Sequence, residues 1–397
     1  MDIQTADVVV LGAGPSGLMA AIAAAREGVD VLLVERSGTL GGTNVASLVC
    51  PLMTFHAAGR QIVAGLAQQA VDRLAARGGT RGHIPDPLGV TETITPVEPT
   101  LLAQVYFAML AEYPRLRVLL HTTLADVSVR DGRIERVRCV GKSGMRELAA
   151  SVYLDATGDG DLAAMAGAAY EQGRPLDGLS QPMSLLFKLG HVNFAPIRAY
   201  MRARPEEFIL RDGALEQDYV AVSGFFEQVR RAREKGDLSI ERDRVLLFEG
   251  VRPDEAIVNM TRVTRLRATD GDELSAAEAR VRAQVDELMG FLRRYIPGCG
   301  EAFLAECGAS IGVRESRRVT GRYTLTEADV LAGRAFDDSV ACCGFPIDIH
   351  DPLGAGLEWQ RRDASSFYDV PYRVALPKTP HNLLTTGRCV SATHEAL

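Results

Sequence analysis

The first forty residues alternate between apolar runs and short breaks of small or polar residues. Residues 7–11 form an apolar run rich in β-branched side chains, which predicts a strand buried on both faces. An alanine-rich stretch from Leu18 to about Glu27 predicts a helix, and Gly28 is placed to end it. Residues 29–34 predict a second buried strand. The pattern therefore predicts a strand, a turn, a helix and a second strand in that order.

The turn between the first strand and the helix carries three glycines at residues 12, 14 and 17. Gly12 permits the tight turn, Gly14 lets the backbone approach a pyrophosphate, and Gly17 allows close packing of the helix on the sheet. The free N–H groups and the positive dipole end of the helix then face the phosphates. Glu35 ends the second strand, where an acid accepts hydrogen bonds from ribose hydroxyls. A glycine-rich structural turn is the alternative, but the order of elements favours a dinucleotide site.

Strand patterns return in the middle and at the end of the chain. Residues 121–127 predict a strand, and the Asp-Gly pair at 131–132 predicts a hairpin turn in a β-meander that follows it. The last meander strand ends at Asp155 and leads into Ala-Thr-Gly at 156–158. A further strand over residues 380–386 ends at Gly387-Arg388. These two late strand ends are candidates for the same ligand site as the glycine-rich turn.

Helical patterns mark two regions that interrupt this arrangement. One helix is predicted from about Gly59 to Arg77. A long amphipathic helix is predicted from Leu274 to Tyr295, where apolar residues recur at helical spacing among charges. A length of 397 residues favours two or three domains. We expect a nucleotide-binding domain over 1–180 with an insertion at about 50–100, a substrate or cap domain over 181–345, and a return to the first domain over 346–397.

Composition and charge exclude several classes of protein. The apolar fraction of 47% argues against disorder, and a formal net charge of -7 argues against nucleic acid as the main partner. No apolar run reaches the roughly 18–20 residues that a membrane span needs. The acidic N-terminus and the 7 scattered cysteines, none in a CxxC pair, predict a cytoplasmic protein in a reducing compartment without a metal site.

Residues 36–43 continue from Glu35 into a loop with a Gly-Gly doublet at 41–42, and this resembles the glutathione-reductase-type flavoproteins. The Ala-Thr-Gly at 156–158 is similar to the second flavin motif of that superfamily. Together with residues 311–318, 348–352 and 391–397, the chain resembles the FAD-dependent oxidoreductase family, which is allied to the flavoprotein subunits of fumarate reductase and heterodisulfide reductase. The resemblance implies an α/β fold: a Rossmann-type FAD-binding domain, with a parallel sheet and a β-meander, and an inserted α+β substrate domain.

The resemblance also implies FAD as the cofactor. The residues that it implies for FAD binding are Gly12, Ala13, Gly14, Pro15, Ser16, Gly17, Glu35, Arg36, Gly41, Gly42, Thr43, Asn44, Leu124, Ala156, Thr157, Gly158, Gly387 and Arg388. Two departures stand out. Gly387-Arg388 replaces the Gly-Asp of many relatives, and the family pattern runs on past Leu397 into a further flavin-binding segment, so we expect that segment to be missing from this sequence.

Three residues are candidates for the chemistry. His350, between two acids, and His394, close after the last strand, are candidate proton donors or acceptors. Arg314 is a candidate for binding a substrate carboxylate. The alternatives are a surface role for each histidine and, for at least one arginine of residues 314–318, a salt bridge to Glu315 or Asp329.

The leading hypothesis is an FAD-dependent dehydrogenase or reductase that transfers hydride between FAD and a small organic substrate, with a carboxylate favoured. A flavin monooxygenase is one alternative, and an electron-transfer subunit with an iron–sulfur partner is another. A second GxGxxG turn after a strand is missing from the sequence. We therefore expect electrons to pass through transient NAD(P)H, a quinone or an electron-transfer protein.

Overall fold

The computed structural model describes residues 3–354, 357–360 and 366–397. Its helices, numbered in chain order, are α1 Pro15–Arg26, α2 Gly42–Ala46, α3 Gly65–Ala75, α4 Pro99–Ala111, α5 Asp161–Met165, α6 Phe194–Ala203, α7 Phe226–Glu234, α8 Gly271–Tyr295 and α9 Glu327–Ala332. Short 3-10 turns occur at Pro205–Glu207, Ala214–Glu216, Tyr372–Ala375 and Gly387–Cys389. Among the described helices, none has both the length and the apolar character that crossing a bilayer requires.

The strands are numbered in the same way. The first eleven are β1 Ile3–Leu11, β2 Val31–Val34, β3 Leu52–Met53, β4 His56–Ala57, β5 Arg60–Gln61, β6 Ile84–Pro85, β7 Thr93–Thr95, β8 Leu116–Leu119, β9 Thr123–Arg130, β10 Arg133–Gly141 and β11 Gly144–Asp155. The others are β12 Tyr170–Gln172, β13 Phe187–Gly190, β14 Ala221–Gly224, β15 Val245–Glu249, β16 Ala256–Val258, β17 Phe303–Cys307, β18 Arg317–Val319, β19 Ser339–Cys343, β20 Ile347–His350, β21 Leu357–Gln360, β22 Tyr368–Pro371 and β23 Leu383–Thr385.

A mixed sheet joins the two ends of the described chain. Its strands lie in the order β8, β2, β1, β11, β10, β9, and β23 joins the last part of β11. The strands β8, β2, β1, β11 and β23 are parallel to their neighbours, whereas β9, β10 and the first part of β11 form an antiparallel meander. The predicted α/β fold, with a parallel sheet and a β-meander, is confirmed.

The register of the parallel strands brings four strand ends into one row. Leu11 of β1 lies opposite Val34 of β2 and Asp155 of β11, and Asp155 lies opposite Thr385 of β23. Parallel strands present their carboxyl ends at the same edge of a sheet, so the segments that follow these four residues meet there. This edge is where open parallel sheets bind their ligands.

Helix α1 packs on this sheet through one face. Its residues Leu18, Ala21, Ile22 and Ala25 recur every three or four positions, and all four are buried. They join Val10 of β1 in one apolar cluster. The helix is thereby held with its N-terminus at the row of strand ends.

A second, antiparallel sheet has the order β14, β15, β16, β13, β17 and packs in a separate apolar cluster with α8. The amphipathic pattern of α8 is confirmed, since Ala277, Val281 and Leu288 are buried in that cluster. The helix begins at Gly271, earlier than predicted from the apolar pattern, because the Asp270 side chain accepts hydrogen bonds from the next backbone N–H groups and caps it.

The helix predicted from Gly59 is shorter than expected. Residues 56–61 form a hairpin of β4 and β5, and α3 begins only at Gly65. Ala58 and Gly59, at the tip, both have positive φ angles, +56° and +68°, as a tight hairpin turn requires. The prediction for this stretch was therefore wrong at its N-terminal end.

A buried ion pair connects the second sheet to α4. The Nζ atom of Lys188 in β13 lies 2.8 and 2.9 Å from the two carboxylate oxygens of Glu98, the N-cap residue of α4. Glu255 and Glu306 lie within 3.6 Å of the same Nζ atom. Burial lowers the pKa of Lys188, but the hydrogen bond to Glu98 and the neighbouring carboxylates outweigh it, so the pKa is raised overall.

We predict that Lys188→Met, which keeps much of the side-chain volume, leaves Glu98 buried without its partner. The free energy of unfolding should fall by about 3 kcal/mol, as for other broken buried pairs. The matched control is Arg230→Met, which removes an exposed pair to Glu234 and should cost less than about 1 kcal/mol. Denaturant unfolding measures both, and equal effects of the two substitutions would contradict the prediction.

Candidate active site

The glycine-rich turn, residues 12–17, lies at the centre of the row of strand ends. Gly12 donates a backbone hydrogen bond of 2.8 Å to Val34, and Ala156 donates one of 2.8 Å to Leu11. Gly12 has a φ of +103°, and a Cβ atom there would lie 2.2 Å from the carbonyl oxygen of Ala156. The first strand end and the Ala-Thr-Gly loop therefore touch, and only glycine fits between them.

Gly14 and Gly17 serve different purposes in this turn. A Cβ atom at Gly17 would lie 2.0 Å from the carbonyl oxygen of Gly12, so Gly17 is needed for packing inside the protein. A Cβ atom at Gly14 would meet no protein atom within 4 Å. Gly14 is also the N-cap of α1 and provides no side-chain cap, so the first N–H groups of α1 are available to an anion.

The Gly-Gly doublet lies against the same turn. Gly41 donates a 2.9 Å hydrogen bond to the carbonyl oxygen of Ala13, and a Cβ atom at Gly42 would lie 2.8 Å from the Cα of Gly14. Both glycines have positive φ angles, of +103° and +49°. Helix α2, which contains Thr43 and Asn44, starts directly from this contact.

Glu35 lies beside the turn, at the end of β2. One carboxylate oxygen accepts a 2.7 Å hydrogen bond from the N–H of Ala13, and the other accepts one of 2.8 Å from Ser37. Each oxygen retains a lone pair for a further donor, such as a ribose hydroxyl. Arg36 is exposed, and Leu124 is half-buried at the start of β9.

The Ala-Thr-Gly loop is shaped by an acid that the sequence did not single out. The buried carboxylate of Asp155 accepts hydrogen bonds of 3.0 Å from the backbone and 2.7 Å from the hydroxyl of Thr157. Its other oxygen accepts one of 2.8 Å from Ala163. Burial raises the pKa of Asp155, against the effect of these hydrogen bonds. An acid at the end of a buried strand was the available signal for this role.

Gly387 and Arg388 follow the end of β23 and lie at the same row of strand ends as the glycine-rich turn. A Cβ atom at Gly387 would lie 2.7 Å from the hydroxyl of Ser16 in the glycine-rich turn. Arg388 donates a 3.1 Å hydrogen bond to Asp159, which also accepts one of 2.7 Å from Ser316. The buried Nη1 atom of Arg388 hydrogen-bonds to none of the described residues. An orphaned cationic donor beside free helix N–H groups fits an anionic cofactor such as a diphosphate.

A cavity of about 430 Å³ lies beyond α2, and Asn44 lines it. Its other walls come from the second sheet, from residues 49–53, and from the segment that contains β20. The ionisable side chains in its lining are Arg242, Asp243, Arg244, Arg314, Asp348 and His350. Helix α2 starts at the glycine-rich turn, so the cavity lies next to the predicted nucleotide site at the row of strand ends, which we call the cradle. The cavity is the candidate substrate site.

Two of the three predicted catalytic residues line this cavity. Arg314 donates hydrogen bonds of 2.7 Å to the carbonyl oxygen of Pro182 and to the hydroxyl of Ser184. Burial lowers the pKa of Arg314 to about 10. Burial, together with the positive charge of nearby arginines, holds the pKa of His350 well below its ordinary value, so its imidazole is neutral at pH 7.

His394 does not line the cavity. It is 4% exposed, and its Nδ1 atom lies 2.8 Å from the carboxylate of Glu315, which also pairs with Arg318. Arg317 instead pairs with Asp161 at 2.8 Å. The arginines of residues 314–318 therefore point to three different places, and the catalytic role of His394 stays a prediction.

Sequence reasoning missed two arginines near this cavity. Arg242 is 9% exposed and donates a 3.1 Å hydrogen bond to the carbonyl oxygen of Asn259, while its Nε atom finds no partner among the described residues. Burial, with Arg314 and Arg262 nearby, lowers the pKa of Arg242 to about 9. Arg262 lies outside the cavity lining and next to His350: its Nη1 atom is 3.5 Å from Nδ1 of that histidine. In the sequence Arg242 lies between Glu241 and Asp243, a pattern typical of an exposed charge.

Comparison with known proteins agrees with this geometry. A family model described as FAD dependent oxidoreductase matches residues 7–397. Mitochondrial dihydrolipoyl dehydrogenase of Caenorhabditis elegans is 55% identical over 40 residues, and this match spans 10% of the chain and 8% of that enzyme. Two solved structures are similar to the chain at 13% identity. p-Nitrophenol 4-monooxygenase PnpA from Pseudomonas putida DLL-E4 has a TM-score of 0.47, and the match covers 81% of this chain and 70% of that one. A geranylgeranyl bacteriochlorophyll reductase-like protein from Thermoplasma acidophilum has a TM-score of 0.45, and the match covers 80% of this chain and 67% of that one.

The glycine-rich turn generates a prediction that separates binding from folding. Gly14→Ala should leave the stability of the FAD-free protein unchanged or slightly higher, because its φ of -68° suits any residue and the space is open. It should weaken FAD binding at least roughly tenfold, since the methyl group occupies the approach to the diphosphate. Gly17→Ala should destabilise the FAD-free protein by about 1–3 kcal/mol through overpacking.

Thermal unfolding without FAD and titration with FAD, followed by flavin fluorescence, measure the two effects. The control is Gly290→Ala in α8, where a Cβ atom also meets no protein atom within 4 Å. A Gly14→Ala protein that binds FAD like the unchanged protein would contradict the assignment of the cradle.

The lowered pKa of His350 generates a second prediction, on stability. Below pH 6.5 the unfolded chain protonates this histidine while the native protein does not. The free energy of unfolding therefore decreases as the pH is lowered. Between pH 7.5 and pH 5.5 this residue should contribute a loss of about 1.4 kcal/mol. His350→Gln should be less sensitive to this pH change by that amount, whereas the control His381→Gln, at an exposed residue, should match the unchanged protein. Denaturant unfolding at the two pH values checks it, and identical pH dependence in all three proteins would refute it.

Proposed function

The chain belongs to the FAD-dependent oxidoreductase family, and from that premise we propose that it oxidises or reduces a small organic carboxylate in the cavity beside α2. When bound, FAD accepts or donates the hydride. The residues around the cavity bind the substrate, orient its reacting carbon and handle the proton. The activity, the substrate and the partners of the whole protein are parts of this proposal.

The cofactor fits the row of strand ends. The N–H groups of the glycine-rich turn and of the start of α1 would hold the diphosphate, and Glu35 would accept hydrogen bonds from a ribose. Arg388, which follows the end of β23, would supply a cationic donor. Asn44, in the helix that starts at the Gly-Gly doublet, also lines the cavity and would connect the cofactor site to the substrate site.

The observation that carries the substrate class is that three arginines at or beside the cavity lack a carboxylate partner. Arg242 and Arg262 are buried, and Arg314 is half-buried. Arg242, Arg262 and Arg314 form no ion pair within 4.0 Å with a carboxylate of the described residues. Burying a cation without a counter-charge is costly, and a bound anion offsets that cost. Guanidinium groups match the planar, two-oxygen geometry of a carboxylate.

His350 is the proton-handling residue of the proposal. Its neutral imidazole can accept a proton at pH 7. The Nη1 atom of Arg262 lies 3.5 Å from Nδ1 of His350. Asp348, on the same strand, lies 3.8 Å from that Nε2 atom and helps to orient the ring. A bound carboxylate offsets the surrounding positive charge, so substrate binding raises the affinity of His350 for a proton.

We predict that the purified protein, loaded with FAD, is yellow and absorbs near 450 nm, the absorbance of the flavin itself. An anaerobic screen should find organic carboxylates that bleach this absorbance, or that restore it after chemical reduction. Arg314→Gln should bind FAD normally but lose roughly 10- to 100-fold in apparent affinity for the reacting carboxylate, the loss typical of a charge-assisted hydrogen bond.

The same screen separates the alternatives. Oxygen uptake coupled to NAD(P)H oxidation with a hydroxylated product identifies a monooxygenase, and reoxidation only by an iron–sulfur protein or a quinone identifies an electron-transfer subunit. A protein that holds FAD which no carboxylate reduces or reoxidises contradicts the proposed reaction. A protein that cannot be loaded with FAD contradicts the cofactor site as well.

A further inference from the structure

The cavity has two chemically different ends, and strand β15 runs between them. Side chains alternate across a strand, so every second residue faces the same side. Arg244, directly before β15, and Leu246 and Phe248 within it all line the cavity, whereas Val245 and Leu247 are buried in the core of the second sheet. At roughly 3.3 Å per residue the wall changes from charged to apolar over about 13 Å.

The apolar end is built with help from the inserted region of residues 50–100. Phe248 packs in one buried cluster with Leu88, and Val90 and Met53 pack against that cluster. All four side chains also line the cavity. None of these four lining side chains is charged, and the buried carboxylate of Asp86 accepts hydrogen bonds from the backbone N–H groups of Leu88 and Val90, so a second carboxylate on a ligand would lie here without a cationic partner in the described lining.

The charged end holds more guanidinium groups than acids that neutralise them. Asp243 is occupied by a two-point hydrogen bond to Arg244, at 2.9 and 2.8 Å. Arg242 and Arg314 are hydrogen-bonded to carbonyl or hydroxyl oxygens, and the Nε atom of Arg242 has no partner among the described residues. Arg242 is also more than nine-tenths buried, so it needs an anion more than an exposed arginine does.

We infer that the cavity selects a monocarboxylic acid with an apolar body, whose carboxylate is bound by Arg242 and Arg314 and whose body extends along Leu246 to Phe248. This rests on the proposed function and narrows its substrate class. Arg242 becomes a specificity-determining residue, since it lines the cavity, is 9% exposed and forms no ion pair with a carboxylate of the described residues. A small dicarboxylate is disfavoured, because its second charge would lie against the apolar end.

The test is calorimetric titration of the FAD-loaded protein with a series of ω-phenylalkanoic acids from phenylacetic to 5-phenylpentanoic acid. Each added methylene should tighten binding about fourfold, the value of one buried CH₂ group, until the ring reaches Phe248. The corresponding primary amides, and succinate, should bind at least roughly tenfold more weakly than the best acid. Binding of amides as tight as that of acids, or tighter binding of succinate, would overturn the inference.

Variants assign the effect to Arg242. Arg242→Gln should weaken binding of the acids by roughly 10- to 100-fold and leave binding of the amides nearly unchanged, whereas Arg242→Lys should recover part of the loss. Arg230→Gln, on the exposed face of α7, is the matched control and should change neither. Equal losses for acids and amides in a folded, FAD-loaded Arg242→Gln protein would overturn the role of Arg242, and the FAD absorbance spectrum verifies the loading.

The outcome also distinguishes this inference from the proposed function. An FAD-loaded protein that carries out redox chemistry on a carboxylate but shows no preference for apolar acids contradicts only the inference. A protein that binds phenylalkanoic acids as described but exchanges electrons with no carboxylate contradicts only the proposed function.

Discussion

The parallel register of the main sheet is the constraint on which the rest of the structure depends. Leu11, Val34, Asp155 and Thr385 come from segments far apart in the chain, yet they lie in one row because each pairs directly with its neighbour. The glycine contacts follow from this register. With a shift of one residue, Gly12 would no longer meet Ala156, and the edge would lose both its shape and its free N–H groups.

A second consequence is the position of the cavity. Helix α2 starts where the Gly-Gly doublet touches Gly14, and its backbone is held on the far side by a 3.1 Å hydrogen bond from Ser310 to Ala46. The buried ion pair of Lys188 and Glu98 also connects the second sheet to α4. The charged wall of the cavity is therefore held at a set distance from the row of strand ends. Because Arg242 is buried and Arg314 is half-buried, an anion bound there is attracted more strongly than it would be in water.

The shape of the glycine-rich turn could be predicted from the sequence because its determinants are local and steric. The glycines at 12 and 17 act through their backbone, and the carboxylate of Glu35 binds the N–H groups of Ala13 and Ser37, so spacing along the chain is enough to reveal them. The role of Arg388 depended on the resemblance, and its pairing with Asp159 became visible only in the fold. The early start of α8 followed from the side chain of Asp270, which the apolar pattern does not include.

The cavity could be predicted only in part. Arg314 and His350 were singled out, but Arg242 and Arg262 were not, because their burial comes from strands and loops that are distant in sequence. Arg242 lies between Glu241 and Asp243, and a charged residue in such a run is expected to be exposed until its tertiary neighbours are known. The domain bounds at 180 and 345 stay predictions.

The most direct test of the central claim is a crystal structure of the protein with FAD bound. The diphosphate should lie within hydrogen-bond distance of the N–H groups of Gly14, Ser16 or Gly17, and the flavin ring should reach past Asn44 to the cavity that His350 lines. FAD bound away from the row of strand ends, or with its diphosphate remote from Gly14, would contradict the account.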